Sequence, residues 1–124
     1  MRITGKIAIG SVILLLCYIS LLCCLPPTSK DALTHHLAVP KLYLEEGAIY
    51  EIPFMPFSYY PMNLELLYLI PLYFGNDILP KFIHFAFALL TSGFIYVYIR
   101  NKLNKVYAIL SILYFLSIPI VIHL

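Results

Sequence analysis

Acidic and histidine side chains recur in this chain at spacings that place them on one face of a helix. Asp31 and His35 are four residues apart, so on a helix they would be neighbours. A carboxylate beside a histidine can act as a general base, and the same two groups can bind a divalent metal. In a simpler interpretation, Asp31 only caps the start of a helix. His36 does not share the face of His35, so one of the two histidines is expected to pack or to face solvent.

Two further sets of polar residues also allow either a structural or a functional interpretation. Lys41 and Glu45 are spaced for a surface salt bridge, which contributes little to stability. Glu65 interrupts the apolar stretch 62–74. An ionisable residue close to a membrane is costly and is a functional candidate by default. The alternative is an amphipathic helix that lies flat on the membrane and turns Glu65 towards water.

Asp77, Lys81 and His84 follow at spacings of four and three, which predicts one polar stripe at the start of a helix. Lys81 either snorkels to the membrane interface or binds a phosphate group. His84, about one turn deeper, must face protein or water rather than lipid.

The composition of the chain is typical of a membrane protein. Of the 124 residues, 62% are hydrophobic and 11% are charged, whereas soluble domains carry about 25% charged residues. The net charge of +2 excludes nucleic acid as an expected partner. Cys17, Cys23 and Cys24 share one apolar run, which indicates small helix residues rather than a disulfide framework. No phosphate-binding glycine loop, nucleophile elbow, CxxC or HExxH motif is present.

The sequence predicts an all-α, multi-pass protein of the plasma or inner membrane. Three apolar runs, 7–25, 77–99 and 105–123, are long enough to span. The basic residues at their ends are expected on the cytoplasmic side, together with the N-terminus; they are Arg2, Lys6, Arg100, Lys102 and Lys105. Loop 26–76 is then extracytoplasmic and holds juxtamembrane helices at about 31–46, where Pro40 is expected to split or kink the helix, and 62–74. All six carboxylates fall on that outer side or at its interface.

The order of three motifs gives the chain a resemblance to a known family. Residues 31–37 with 40–47 form the first motif, Tyr60-Pro61 with residues 65–68 the second, and residues 75–77 with Lys81 and His84 the third. In this order they resemble the N-terminal part of the GT-C membrane glycosyltransferases. That family includes the dolichyl-phosphate-mannose and aminoarabinose transferases, which take a sugar from a polyprenyl-phosphate carrier. The resemblance covers about residues 7–124.

The resemblance implies sugar transfer from a lipid-phosphate carrier to an acceptor on the extracytoplasmic side. It assigns catalysis to the first acidic residue of the loop, Asp31, which would deprotonate the acceptor hydroxyl or hold a divalent metal cation. Many members have an acidic pair there, whereas Ala32 follows Asp31, so Glu65 is the candidate for a second carboxylate. The expected partners are membrane lipid and the lipid-linked donor. The candidate substrate- or phosphate-binding residues are His35, His36, Lys41, Lys81 and His84.

Length separates the two remaining hypotheses about function. GT-C enzymes have many more spanning helices, so residues 1–124 are expected to be a single membrane domain from the N-terminus of a larger enzyme. The alternative is a small multi-pass membrane protein without catalysis, whose outer loop binds a partner. A transporter is disfavoured because the last apolar run has few polar residues.

Overall fold

The computed structural model describes residues 3–28, 30 and 32–122, and the described part of the chain is helical and contains no β-strand. The all-α prediction is confirmed, with 75% of the chain in helices. Two compact units are formed. Met1–Leu25 and Lys81–Leu124 make up the first, called here the long-helix unit; Pro26–Pro80 make up the second, called the connecting unit.

Within the described residues, two helices are long and apolar enough to cross a membrane. Helix α1 is Ile3–Cys23 and helix α4 is Leu79–Lys102. At about 1.5 Å per residue they are roughly 31 and 36 Å long. Only 17% of the apolar window in α1 and 11% of that in α4 is buried within the protein. The core helix of a soluble protein would be mostly buried, so the exposure of these two helices favours membrane association.

The third predicted span, 105–123, is wrong as a single spanning helix. Helix α5, Lys105–Leu116, has 12 residues and is followed by the short helix α6, Pro119–Ile122; residue 123 lies outside the described residues. Pro119 has no N–H to donate to the carbonyl group four residues earlier, and its ring crowds that carbonyl. The Ser117 N–H instead tightens the last turn by donating to the carbonyl oxygens of Leu113 and Tyr114.

The long-helix unit is held together by a small apolar core. Ile19 and Cys23 of α1 pack with Ala88 of α4, Leu116 of α5 and Val121 of α6. Helix α5 begins at a side-chain cap, since Asn104 Oδ1 accepts hydrogen bonds from the N–H groups of residues 106 and 107 at 2.9 and 3.2 Å. Most of the remaining apolar surface of these helices lies outside this core.

Four hydroxyl groups on these apolar helices are bonded to their own backbone. Each of four hydroxyl groups needs no partner outside its helix, because it donates to the carbonyl oxygen four residues earlier at 2.8 to 2.9 Å. The residues are Ser20, Thr91, Ser92 and Ser111.

The first helix of the connecting unit differs in detail from the prediction for 31–46. A π-helical turn, Ala32–His36, precedes helix α2, Ala38–Glu46. The break falls at Leu37 rather than at Pro40, because Pro40 lies in the first turn of α2, where its missing N–H is not needed. Gly47, with φ of 69°, ends α2 as predicted.

Helix α3, Glu65–Tyr73, lies within the predicted range 62–74 and packs on α2. It ends in a Schellman motif, in which Gly75 N–H donates to the Leu72 carbonyl and Asn76 N–H to the Pro71 carbonyl. Gly75 has φ of 72°. Asn76 Oδ1 then accepts from the N–H groups of residues 78 and 79 and starts α4. Two consecutive residues therefore end one helix and begin the next.

Replacing Gly75 tests this junction. Gly75→Ala should lower the free energy of unfolding by about 1–2 kcal/mol, because the left-handed conformation penalises a Cβ atom although nothing lies within 4 Å of it. Gly93→Ala, also in open space but inside α4, should be neutral or stabilising. Denaturant unfolding in detergent, followed by circular dichroism, measures both. Equal effects of the two substitutions would contradict the left-handed conformation of Gly75.

Candidate functional site

A histidine and a carboxylate from two different helical elements meet in the connecting unit. His36 is the last residue of the π-helical turn and Glu65 is the first residue of α3. His36 Nδ1 lies 2.8 Å from Glu65 Oε1, although the residues are 29 apart in sequence. The Glu65 side chain is 14% exposed and that of His36 is 44% exposed. The carboxylate is therefore shielded, while part of the imidazole is accessible.

The contact through Nδ1 determines what the other ring nitrogen can do. When Nδ1 carries the proton and donates it to Glu65, Nε2 holds a lone pair that can accept a proton. The carboxylate fixes the ring orientation and stabilises the imidazolium that forms. A half-exposed histidine held in this way has the arrangement of a general base.

Tyr68 lies one turn along α3 from Glu65 and is 1% exposed. Burial, and secondarily the negative charge of Glu65, raise the pKa of its phenol. The phenol therefore stays neutral at physiological pH and adds no second negative charge beside Glu65.

His35 is a packing residue in this arrangement. Its ring stacks on Phe57, with centroids 4.2 Å apart and planes inclined by 16°. The His36 ring is also 4.2 Å away, and Thr34 Oγ1 lies 3.1 Å from His35 Nδ1. These contacts hold the segment that carries His36. They also show which of the two adjacent histidines packs and which reaches a carboxylate.

Lys41 forms an ion pair that the sequence did not predict. Its Nζ atom donates to Asp77 Oδ2 at 2.9 Å, and both side chains are more than 40% exposed. The predicted Lys41–Glu45 salt bridge is wrong, because Lys41 turns to Asp77 instead. An exposed pair of this kind contributes about 0.2–1 kcal/mol.

The predicted polar stripe of Asp77, Lys81 and His84 does not form on one helix. Asp77 precedes α4, which begins at Leu79, so Asp77 does not share a helical face with Lys81 and His84. Those two residues lie in the long-helix unit, where Lys81 Nζ donates to the Leu25 carbonyl oxygen at 3.0 Å. That carbonyl follows the end of α1, so the ammonium group satisfies an acceptor at a helix C-terminus. His84 is partly buried on α4.

The predicted metal ligand, Asp31, lies outside the described residues, so its roles in catalysis and metal binding stay predictions. Within 3–28, 30 and 32–122, no three His, Cys, Asp or Glu side chains gather in a way that could hold a metal ion. The proposed chemistry is therefore assigned to side chains alone.

Sequence reasoning named both members of the central pair but missed their contact. It paired Asp31 with His35 from their spacing, a contact that lies outside the described residues, and it did not consider the contact between His36 and Glu65. The available signal was Glu65 itself, because a carboxylate inside an apolar helix needs a partner. Spacing rules cannot find that partner when it belongs to another element.

No protein-family model, curated protein or solved structure matches this chain. The likeness to GT-C glycosyltransferases therefore rests on the three motifs alone.

A double-mutant cycle tests the His36–Glu65 contact. His36→Ala leaves a shielded carboxylate without its partner and should cost about 1–3 kcal/mol of stability. Glu65→Ala in the His36→Ala background should then cost less than it does alone, giving a coupling energy of at least about 0.5 kcal/mol. Denaturant unfolding of the four proteins measures it. Strictly additive effects would mean that the two side chains do not interact.

Proposed function

We propose that this chain is a membrane protein that takes part in sugar transfer from a lipid-phosphate carrier to an acceptor hydroxyl on the extracytoplasmic side. The observation that carries the proposal is the His36–Glu65 pair, which lies in a segment joining two helices of spanning length. Such a segment is tethered at the membrane surface, which is where the phosphate of a lipid carrier resides.

The long-helix unit supports the membrane part of the proposal. Its two longest helices are apolar and mostly unburied, and the hydroxyl groups of Ser20, Thr91 and Ser92 on them donate to their own backbone. Helices α5 and α6 pack against α1 and α4 within this unit, and no span of their own is assigned to them. Arg100, Lys102 and Lys105 lie at the cytoplasmic end, so the N-terminus is cytoplasmic and the connecting unit is outside.

The pair suggests how the acceptor is activated. His36 Nε2 takes the proton of the acceptor hydroxyl while the acceptor oxygen forms its bond to the anomeric carbon. The bond between that carbon and the carrier phosphate oxygen breaks, and its electron pair leaves with the phosphate. Glu65 stabilises the imidazolium. Asp31 is the alternative base, and Lys41, in the same unit as the pair, is the proposed contact to the donor.

Cysteine labelling tests the orientation in the membrane. In a chain whose native cysteines are replaced by alanine, Ala48→Cys in the connecting unit should react with a membrane-impermeant maleimide in intact cells. Asn101→Cys should react only after permeabilisation. Both positions are exposed, so labelling reports sidedness. The reverse pattern would invert the proposed topology, and equal labelling of both in sealed cells would exclude it.

Activity tests the chemistry. With the full chain in membranes and polyprenyl-phosphate mannose or aminoarabinose as donor, release of polyprenyl phosphate is measured. His36→Asn and Glu65→Gln should lower its rate by about 10²–10⁴-fold, the usual range for a lost general base. Glu45→Gln, an exposed carboxylate, is the matched control and should keep the wild-type rate.

Two results would count against this chemistry. Wild-type rates in both variants would remove the pair from the mechanism. A chain that labels with the proposed topology but releases no polyprenyl phosphate from either donor would favour the non-catalytic membrane interaction protein.

A further inference from the structure

Helix α3 has its polar and apolar sides in an unusual arrangement. The side turned into the connecting unit carries Glu65 and Tyr68, together with Leu72. The opposite side is apolar apart from one phenol, and its exposed fractions range from 41% to 78%. A helix at the surface of a water-soluble protein shows the reverse pattern. The exposed residues, called here the outer face of α3, are Leu67, Ile70, Tyr73 and Phe74.

Contiguous exposed apolar surface marks a site of interaction. Spacings of three, four and seven along the helix place these side chains together. Glu65, the charged residue of α3, is turned away to His36. The outer face is therefore suited to an apolar partner that makes few directional contacts.

The chemistry of the outer face favours lipid over a protein. Protein interfaces carry about one hydrogen bond per 100–200 Å², and this face offers only the Tyr73 hydroxyl group. An aromatic ring with a polar tip suits the headgroup level of a bilayer.

Chain length also favours lipid. Phe74 is five residues before Leu79, where the spanning-length α4 begins, so the two are at most about 18 Å apart. Helix α3, with nine residues, is about 14 Å long and cannot cross a hydrocarbon core of about 30 Å.

We propose that α3 lies in the outer interfacial layer of the bilayer, with Leu67, Ile70, Tyr73 and Phe74 inserted among the lipids. Its partner is the lipid surface. The His36–Glu65 pair then lies on the side of α3 turned away from the hydrocarbon, next to the headgroups. This inference rests on the membrane placement in the proposed function and not on sugar transfer.

The chain contains no tryptophan, so a single introduced tryptophan reports its own surroundings. Phe74→Trp replaces one exposed aromatic residue by another. The full chain is reconstituted in phosphatidylcholine–phosphatidylglycerol vesicles that contain lipids brominated at either shallow or deep acyl positions. The tryptophan emission should shift to the blue and be quenched most strongly by the shallow bromines. Its iodide quenching constant should be at least threefold smaller than that of Ala48→Trp, the variant expected to face water. Tyr73→Trp is the second variant and should behave alike.

Two control positions calibrate the depth. Ala48→Trp lies among exposed acidic residues and should be quenched by aqueous iodide. Phe94→Trp, 75% exposed on α4, should be quenched most strongly by deep bromines. All variants are compared by circular dichroism, and only those with the wild-type helix content are interpreted.

Three outcomes would overturn the inference. If Phe74→Trp and Tyr73→Trp are quenched by iodide as Ala48→Trp is, while Phe94→Trp is quenched by bromolipids, the outer face is in water and only this inference fails. If neither iodide nor bromine quenches the two α3 variants, protein covers the face. If Phe94→Trp also escapes bromine, the membrane placement in the proposed function fails as well.

Discussion

Apolar surface that the chain cannot bury by itself is the constraint on which the rest of the structure depends. Helices α1 and α4 bury less than a fifth of their most apolar windows, and the core of their unit is a handful of side chains. In the proposed membrane placement, the bilayer covers this surface and provides the free energy of burial without specific contacts. Under that condition every backbone and hydroxyl group on these helices needs an internal partner. The back-bonded serines and threonine meet this requirement.

The same constraint explains the behaviour of charge in the connecting unit. A carboxylate on a helix with an apolar outer face can be accommodated only by turning inward to a partner. Glu65 does this with His36, and Tyr68, one turn along α3, is buried. The pair is thus both a structural solution for a shielded charge and, in the proposed function, the acid–base group. A purely structural pair and a catalytic one share this geometry, because both need an oriented imidazole.

Glycine and proline residues act on the backbone of their own neighbours, so their effects on helix ends follow from the local sequence. Gly47 and Gly75 end their helices with positive φ, because glycine alone adopts that conformation without strain. Pro119 interrupts the last apolar run, 105–123, which the sequence predicted to span as one helix. A membrane helix tolerates a proline when neighbours satisfy the freed carbonyl groups, and here the last turn tightens at Ser117 instead.

By itself the sequence determined the helical class, the two long apolar helices, the helix ends and the residues worth considering for chemistry, because periodicity, length and glycine conformation act over a few residues. Only the tertiary structure decided the pairings. Spacing favoured Lys41 with Glu45, whereas Lys41 pairs with Asp77, 36 residues away. The contact between His36 and Glu65, 29 residues apart, was not predicted at all. The sequence also did not determine which face of α3 turns inward. It shows which residues share a helical face, but not which other part of the protein that face contacts. That depends on packing between elements distant in the chain.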